Sequence, residues 1–180
     1  MGSDKHLLEY QGKSLLQHSV DLVSRLPVFE RILVTSEARQ RHILLPSDVQ
    51  LCINPYPEAG QSSSIKIGIE AATGTHYLFL PSDQPKLTVD DILPLLEATK
   101  ANPDKIICPY VYSKPKKPAI FPDLFKNDLK LLTGDNGGKT VRNANKVLCY
   151  CLHTENPDNF KDIDTLEDYI ALKRERTVTQ

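Results

Sequence analysis

Apolar residues along this chain alternate between two spacings, helical stripes of three to four and short continuous runs, and the alternation predicts helices and strands in turn. After Ser14, the positions Leu15, Leu16, Val20, Val23 and Leu26 mark one face of a helix that ends near Pro27. Residues 32–35 and 49–53 are short β-rich runs, with a short helix or turn between them. A loop over residues 54–60, carrying two prolines and a glycine, leads to a helix capped by Ser62 or Ser63, with Ile65, Ile69 and Ala72 facing inward. The run at 77–80 predicts a buried strand, and Thr88 followed by Val89, Ile92, Leu93 and Leu96 predicts a capped helix over 89–101.

The second half repeats the pattern. Residues 105–108 and 109–112 read as sheet, and 119–121 can pair beyond the lysine-rich loop Ser113-Lys114-Pro115-Lys116-Lys117-Pro118. A helix starting near Pro122 takes its apolar side from Leu124, Leu129, Leu131 and Leu132, stops at Gly134-Asp135-Asn136-Gly137-Gly138, and is followed by a short helix from Lys139. Residues 147–152 return to strand. Thr165, with Glu167 and Asp168 in the first turn, opens a terminal helix ending in Lys173, Arg174 and Arg176, the charge order a helix dipole favours. Strand and helix in alternation predict one α/β domain, residues 1–180, with three α/β/α layers and a mostly parallel sheet.

Composition narrows the chemistry. Twenty-two Lys and Arg against 23 Asp and Glu leave a formal charge of −1, which gives no bulk attraction to nucleic acid or to a membrane surface. Any polyanion must be met by local charges. The four cysteines, Cys52, Cys108, Cys149 and Cys151, include no C-x-x-C pair and read as free thiols in a reducing compartment. No apolar run approaches the roughly 18–20 residues that span a bilayer, so the expected location is cytoplasmic.

The chemistry centres on Asp83. The apolar run at 77–80 ends abruptly in Ser82-Asp83-Gln84-Pro85, which puts a carboxylate at the carboxyl edge of the predicted sheet, where open α/β sheets bind ligands. There Asp83 either holds Mg²⁺ against a nucleotide's phosphates or caps the turn.

Met1-Gly2-Ser3-Asp4-Lys5-His6-Leu7-Leu8 and Gly12-Lys13-Ser14-Leu15-Leu16-Gln17-His18 open a series of ordered motifs. Asn54-Pro55, Gly60-Gln61-Ser62-Ser63-Ser64-Ile65 with Gly68, and Ser82-Asp83-Gln84-Pro85 come next. Pro118-Ala119-Ile120-Phe121, Leu132-Thr133-Gly134-Asp135-Asn136-Gly137-Gly138 and Asp162-Ile163-Asp164-Thr165 complete the order. Together they resemble the molybdenum cofactor cytidylyltransferase family, MobA-like NTP transferases with a Rossmann-like fold, over nearly the whole chain.

The resemblance implies transfer of CMP from CTP to the phosphate of a molybdopterin-type cofactor, with Mg²⁺ as cofactor, pyrophosphate as leaving group and a molybdenum hydroxylase as a possible partner. It implies Lys5 and Asp83 as catalytic residues, and Asp83 and Asp164 as metal ligands, with a helix-capping role the alternative for Asp164. Lys5, Asn54, Gly60, Ser62, Ser63 and Ser64 become nucleotide-binding candidates, although the serines could equally cap the helix and Asn54 could brace its loop. Lys117, Gly134, Asp135 and Gly138 become acceptor-binding candidates, against a solvated turn for the lysine and a helix stop for the glycines.

Two departures stand out. The family opens with a strand and a glycine-rich loop before the Met-Gly pair, roughly 15 residues by strand and loop length, and this chain starts at Met1-Gly2, so N-terminal truncation is expected, with poor or no transfer if the chain is complete as given. Lys116 and Lys117 stand where relatives carry glycine and a small polar residue. The competing functions are a guanylyltransferase on the same cofactor, a catalytically silent accessory protein for molybdenum hydroxylase maturation, and transfer to a sugar phosphate, which the same fold supports.

Overall fold

The computed structural model describes residues 4–174. Met1 to Ser3 of the opening motif, and Arg176 of the expected terminal helix, lie outside the described residues.

A single turn at Lys5–Leu7 leads into a small hairpin, β1 (Glu9–Tyr10) and β2 (Lys13–Ser14), that the apolar pattern did not announce. Its reversal uses Gln11 and Gly12, both at positive φ. Helix α1 (Leu15–Val23) follows directly, with the Ser14 hydroxyl accepting from the Gln17 N–H as its cap. Strand β3 (Ile32–Thr35), a one-turn helix α2 (Glu37–Gln40) and strand β4 (Gln50–Ile53) come next, the two strands pairing in parallel.

Helix α3 (Gln61–Ala71) starts one residue before the expected serine caps. Its N-cap is Gly60 at φ 88°, and a Cβ there would lie 2.3 Å from the Gly134 carbonyl carbon. The close approach lets Gly134 O accept the Ser62 N–H at 3.1 Å, so a distant loop closes the helix start instead of a local side chain. At the other end the Glu30 carboxylate accepts from the Thr73 and Gly74 N–H groups at 2.7 and 2.8 Å.

Strand β5 (His76–Phe79) begins one residue earlier than its apolar run. After the Asp83 turn, α4 (Val89–Ala101) is capped by Thr88 and Asp91, and β6 (Ile106–Val111) joins the two expected strand segments into one. The chain reverses at Tyr112 and Ser113, both at positive φ, and returns as β7 (Lys114–Pro115) and β8 (Ala119–Pro122) beside β6. Between the Ile107–Ile120 and Tyr110–Pro115 pairs, two residues of β6, Cys108 and Pro109, thus lie opposite four of the returning chain, Lys116 to Ala119, and the lysine segment bulges from the ladder.

Helices α5 (Lys126–Lys130) and α6 (Gly138–Ala144), strand β9 (Cys149–His153) and helix α7 (Leu166–Arg174) complete the chain. The predicted helix from Pro122 is broken: a tight turn at Asp123–Phe125 changes the phase, so Phe125, Leu129 and Leu132 are buried, whereas Leu124 and Leu131 face solvent. Strands β5, β6 and β9 run in one direction, and β8 lies reversed between β5 and β6. The β3–β4 pair forms its own ladder among the described residues.

Side chains alternate across the sheet as the pleat requires. Ile106, Cys108, Ala119 and Phe121 pack under α3 and α5, while Ile107, Val111 and Ile120 pack against Ile92 and Leu95 of α4 and Leu22 of α1. Both faces are covered, so the three expected layers are present. Helix α3 also reaches β3, where a Cβ on Gly68 would stand 3.3 Å from a Val34 methyl.

Asp91 ties the layers together at the end that carries the site. Its buried carboxylate accepts from the Thr88 N–H and hydroxyl at 2.9 and 2.8 Å and from Asn159 Nδ2 at 2.9 Å. Asp91→Ala strands these donors and should cost about 1–3 kcal/mol of stability; urea unfolding measures it, and a loss below about 0.5 kcal/mol would remove Asp91 from this role.

Candidate functional site

Three loops converge on the carboxyl ends of β5 and its neighbours. The turn after β5 supplies Asp83, the bulge between β7 and β8 supplies Lys117, and the segment before α7 supplies Asp162 and Asp164. The fourth contribution is Lys5. Its turn is anchored on both sides, by Asp4 paired with Arg39 of α2 at 2.5 Å and by His6 Nδ1 at 2.7 Å from the Ser82 hydroxyl.

Asp83 is 8 % exposed and sits between two ammoniums. Lys117 Nζ lies 3.1 Å from both of its oxygens and 3.2 Å from Asp162 Oδ1. Lys5 Nζ lies 3.2 Å from Asp83 Oδ2 and 2.9 Å from Asp164 Oδ1. Two ammoniums thus face three carboxylates, a local charge of −1. Burial pushes the Asp83 carboxyl up, but Lys117 and Lys5 outweigh it and hold Asp83 below the usual aspartate value. Burial likewise opposes the charge on both lysines, and is overcome by Asp164 and Asp83 for Lys5 and by Asp83 and Asp162 for Lys117, so both ammoniums are held above the ordinary lysine value.

The backbone around these groups is fixed from beneath. Gln84, 2 % exposed, donates from Nε2 to Asp162 Oδ1 at 2.9 Å, to Phe160 O at 3.0 Å and to Lys117 O at 3.4 Å. Arg142, 6 % exposed, donates to Lys116 O at 2.8 Å. The Ile163 N–H donates to Asp83 O at 2.8 Å, joining the backbone of the turn after β5 to the aspartate segment.

The helix-capping alternative for Asp164 is taken by its neighbours. Thr165 Oγ1 accepts the Asp168 N–H at 3.1 Å, and the Asp168 carboxylate accepts the N–H groups of Asp164 and Thr165 at 3.2 and 2.8 Å. The Asp164 carboxylate is left for Lys5. Lys117, likewise, is not left to solvent alone, since its ammonium is engaged by two carboxylates.

Asn54, Gly60, Ser62, Ser63 and Ser64 gather with Gly134 in a second cluster. Asn54 is 2 % exposed; it donates to the Ser63 and Ser64 hydroxyls at 2.7 and 2.9 Å and accepts the Tyr56 N–H at 2.9 Å, so its amide braces the loop. Ser63 Oγ donates to Gly60 O at 2.7 Å. Asp135 is exposed on the loop that closes α3, and Gly138 starts α6 where a Cβ would stand 2.9 Å from the Phe121 ring. A shallow cleft of about 680 Å³, lined by Leu7, Lys13, Gln17, Asp21 and Leu44 among others, includes neither cluster.

Sequence reasoning passed over Asp162, Gln84, His6 and Arg142 as site residues. Asp162 and Gln84 stood inside motifs already singled out, so their spacing to Asp164 and Asp83 was a usable signal. Arg142 carried none, because its role depends on a bulge in a strand far away in sequence.

Two carboxylates from different loops, Asp83 and Asp164, already converge on one cation, the Lys5 ammonium. That donor set fits a hard divalent ion. Among the described residues no group of three or more His, Cys, Asp or Glu side chains is placed to hold a metal, so water and phosphate oxygens would complete the shell, as Mg²⁺ favours.

Residues 1–148 match the family model of the MobA-like NTP transferase domain. A probable molybdenum cofactor guanylyltransferase from Rhodopirellula baltica is 34 % identical over 113 residues, covering 59 % of this chain and 53 % of the relative. The chain therefore spans about half the length of the curated relative it matches. Among solved structures, Rv0371C of Mycobacterium tuberculosis, in complex with manganese, superposes with a TM-score of 0.78 at 20 % identity, covering 95 % of this chain and 92 % of the other. A nucleotidyl transferase from Methanothermobacter gives 0.75 at 20 % identity, covering 98 % and 86 %. These likenesses concern the fold, which is the Rossmann-like α/β fold of nucleotidyltransferases.

The pKa directions fix the sign of a pH effect. A carboxyl held low stabilises the folded chain above its unfolded value, and that stability is lost as pH falls through the folded value; ammoniums held high lose theirs as pH rises past the raised value. Asp83→Asn should therefore be about 1–3 kcal/mol less stable than the parent at neutral pH. Urea unfolding at descending pH should show the difference closing below about pH 4. A gap that stays constant to about pH 2 would contradict the pairing.

Gly60→Ala tests the second cluster, because its Cβ would meet backbone of Gly134 at 2.3 Å and the position has φ 88°. The expected loss is about 2–4 kcal/mol in thermal or urea unfolding, and a change below about 1 kcal/mol would argue against the close loop contact.

Proposed function

Because this chain belongs to the MobA-like NTP transferase family, we propose that it transfers a nucleotidyl group from a nucleoside triphosphate to the phosphate of a molybdopterin-type acceptor. The observation that carries this reading is the buried Asp83, paired with two lysine ammoniums at the carboxyl edge of the sheet. In the proposed reaction an acceptor phosphate oxygen forms a bond to the α-phosphorus, the bond from that phosphorus to the α–β bridging oxygen breaks, and pyrophosphate leaves. Mg²⁺ held by Asp83 and Asp164 would offset the charge of the two anionic reactants. Lys5 would move from these carboxylates onto the phosphates, and Lys117 would face the acceptor. The Asn54-braced loop with Gly60, Ser62, Ser63 and Ser64 would carry the nucleotide, and Gly134, Asp135 and Gly138 the acceptor side. A molybdenum hydroxylase is the partner that such a product implies.

CTP is the proposed donor, on the resemblance of the Gly60-Gln61-Ser62-Ser63-Ser64 segment to the cytidylyl branch. GTP is the second reading, favoured by the name of the Rhodopirellula baltica relative. Pyrophosphate release from CTP and from GTP, with Mg²⁺ and molybdopterin cofactor, separates them. Asp83→Asn should lower the rate by roughly two to three orders of magnitude. Absence of turnover and of any rise in melting temperature with either nucleotide would overturn the transferase reading in favour of a silent accessory protein.

A further inference from the structure

We propose that Lys117 is a built-in stand-in for the divalent cation, neutralising Asp83 while the metal is absent and competing with it for the same carboxylate. The inference rests on the reading of Asp83 as a metal ligand. Lys117 Nζ is 3.1 Å from Oδ1 and 3.1 Å from Oδ2 of Asp83, so one ammonium covers both oxygens through which a metal could bind. Lys5 contacts Oδ2 at 3.2 Å and leaves Oδ1 to Lys117 alone. A metal ion at about 2.1 Å from either oxygen would stand within a few ångströms of that ammonium, and two cations so close repel strongly where solvent is sparse.

Lys117 is built to yield. The carbonyl of Lys116 is held by Arg142 and that of Lys117 by Gln84, so the bulge backbone is tethered while the side chain, 41 % exposed, has solvent to rotate into. Asp162 is already its second partner at 3.2 Å, which gives the displaced ammonium a place to stay. The charge balance suits the exchange. The cluster stands at −1 with its two ammoniums, and a divalent ion takes it to +1, the sign that an incoming triphosphate requires. A lysine that served only to brace the fold would lower metal affinity or leave it unchanged when removed; a competitor raises it.

The test is Mn²⁺ alone, without nucleotide, titrated into the full chain and followed by electron paramagnetic resonance of the free ion. Lys117→Met keeps the stem and deletes the charge, and should bind Mn²⁺ about tenfold more tightly than the parent. Lys117→Arg keeps the charge and should stay within about threefold of the parent. Lys117→Gln provides the same reading if the methionine variant does not fold. Equal or weaker Mn²⁺ binding by the uncharged variants overturns the competition while leaving Asp83 as a ligand. Failure of Mn²⁺ to bind parent and variants alike overturns the metal reading itself.

Discussion

A carboxylate cannot be buried to 8 % exposure as an ion unless something pays its desolvation, and at Asp83 two ammoniums do so. Much of the surrounding architecture follows from that requirement. Lys5 arrives on a turn held by Arg39 and Ser82, Lys117 on a bulge held by Arg142 and Gln84, and each lysine brings a further carboxylate with it, Asp164 and Asp162. The resulting network joins the first described residues, the middle of the sheet and the segment before the last helix. Loops so far apart in sequence are held in register by charges that none of them could bury alone.

The bulge shows how local strand geometry becomes site chemistry. A regular return strand beside β6 would have sent successive side chains to alternate faces of the sheet, into layers already filled by α4 and α5. The extra residues between Pro115 and Ile120 lift Lys116 and Lys117 out of that alternation. Pairing resumes at Ala119–Pro122, against β5 along its length and against β6 at Ile120, and the site gains a cation.

Residues that follow a local period were readable from the chain: α1, α4, β3, β6 and the Asp83 turn all appear close to their expected positions. The alternation of Ile106, Ile107 and Cys108 between two apolar layers likewise follows from the pleat. What was not readable depends on contacts distant in sequence. The start of α3 is set by Gly134 carbonyl, seventy-odd residues away, and Gly60 takes the cap because only glycine tolerates that approach. Leu124 and Leu131 look apolar-periodic yet face solvent, since a tight turn at Asp123–Phe125 resets the phase of the helix. Lys117 reads as a solvated loop residue until the bulge carries it to Asp83.

The two clusters divide the electrostatic work unequally. At the start of α3, where exposed N–H groups would favour phosphate, the Ser62 N–H is already given to Gly134 O and the Ser63 hydroxyl to Gly60 O. This region is preorganised by internal hydrogen bonds and offers shape more than charge. The formal positive charge lies instead on Lys5 and Lys117, each restrained by carboxylates. In the proposed reaction, substrate charge would therefore be met by releasing lysines from aspartates, and a divalent ion held by those same oxygens would favour that release. On that proposal, binding of metal and binding of nucleotide would be coupled through the side chains of Asp83 and its two partners.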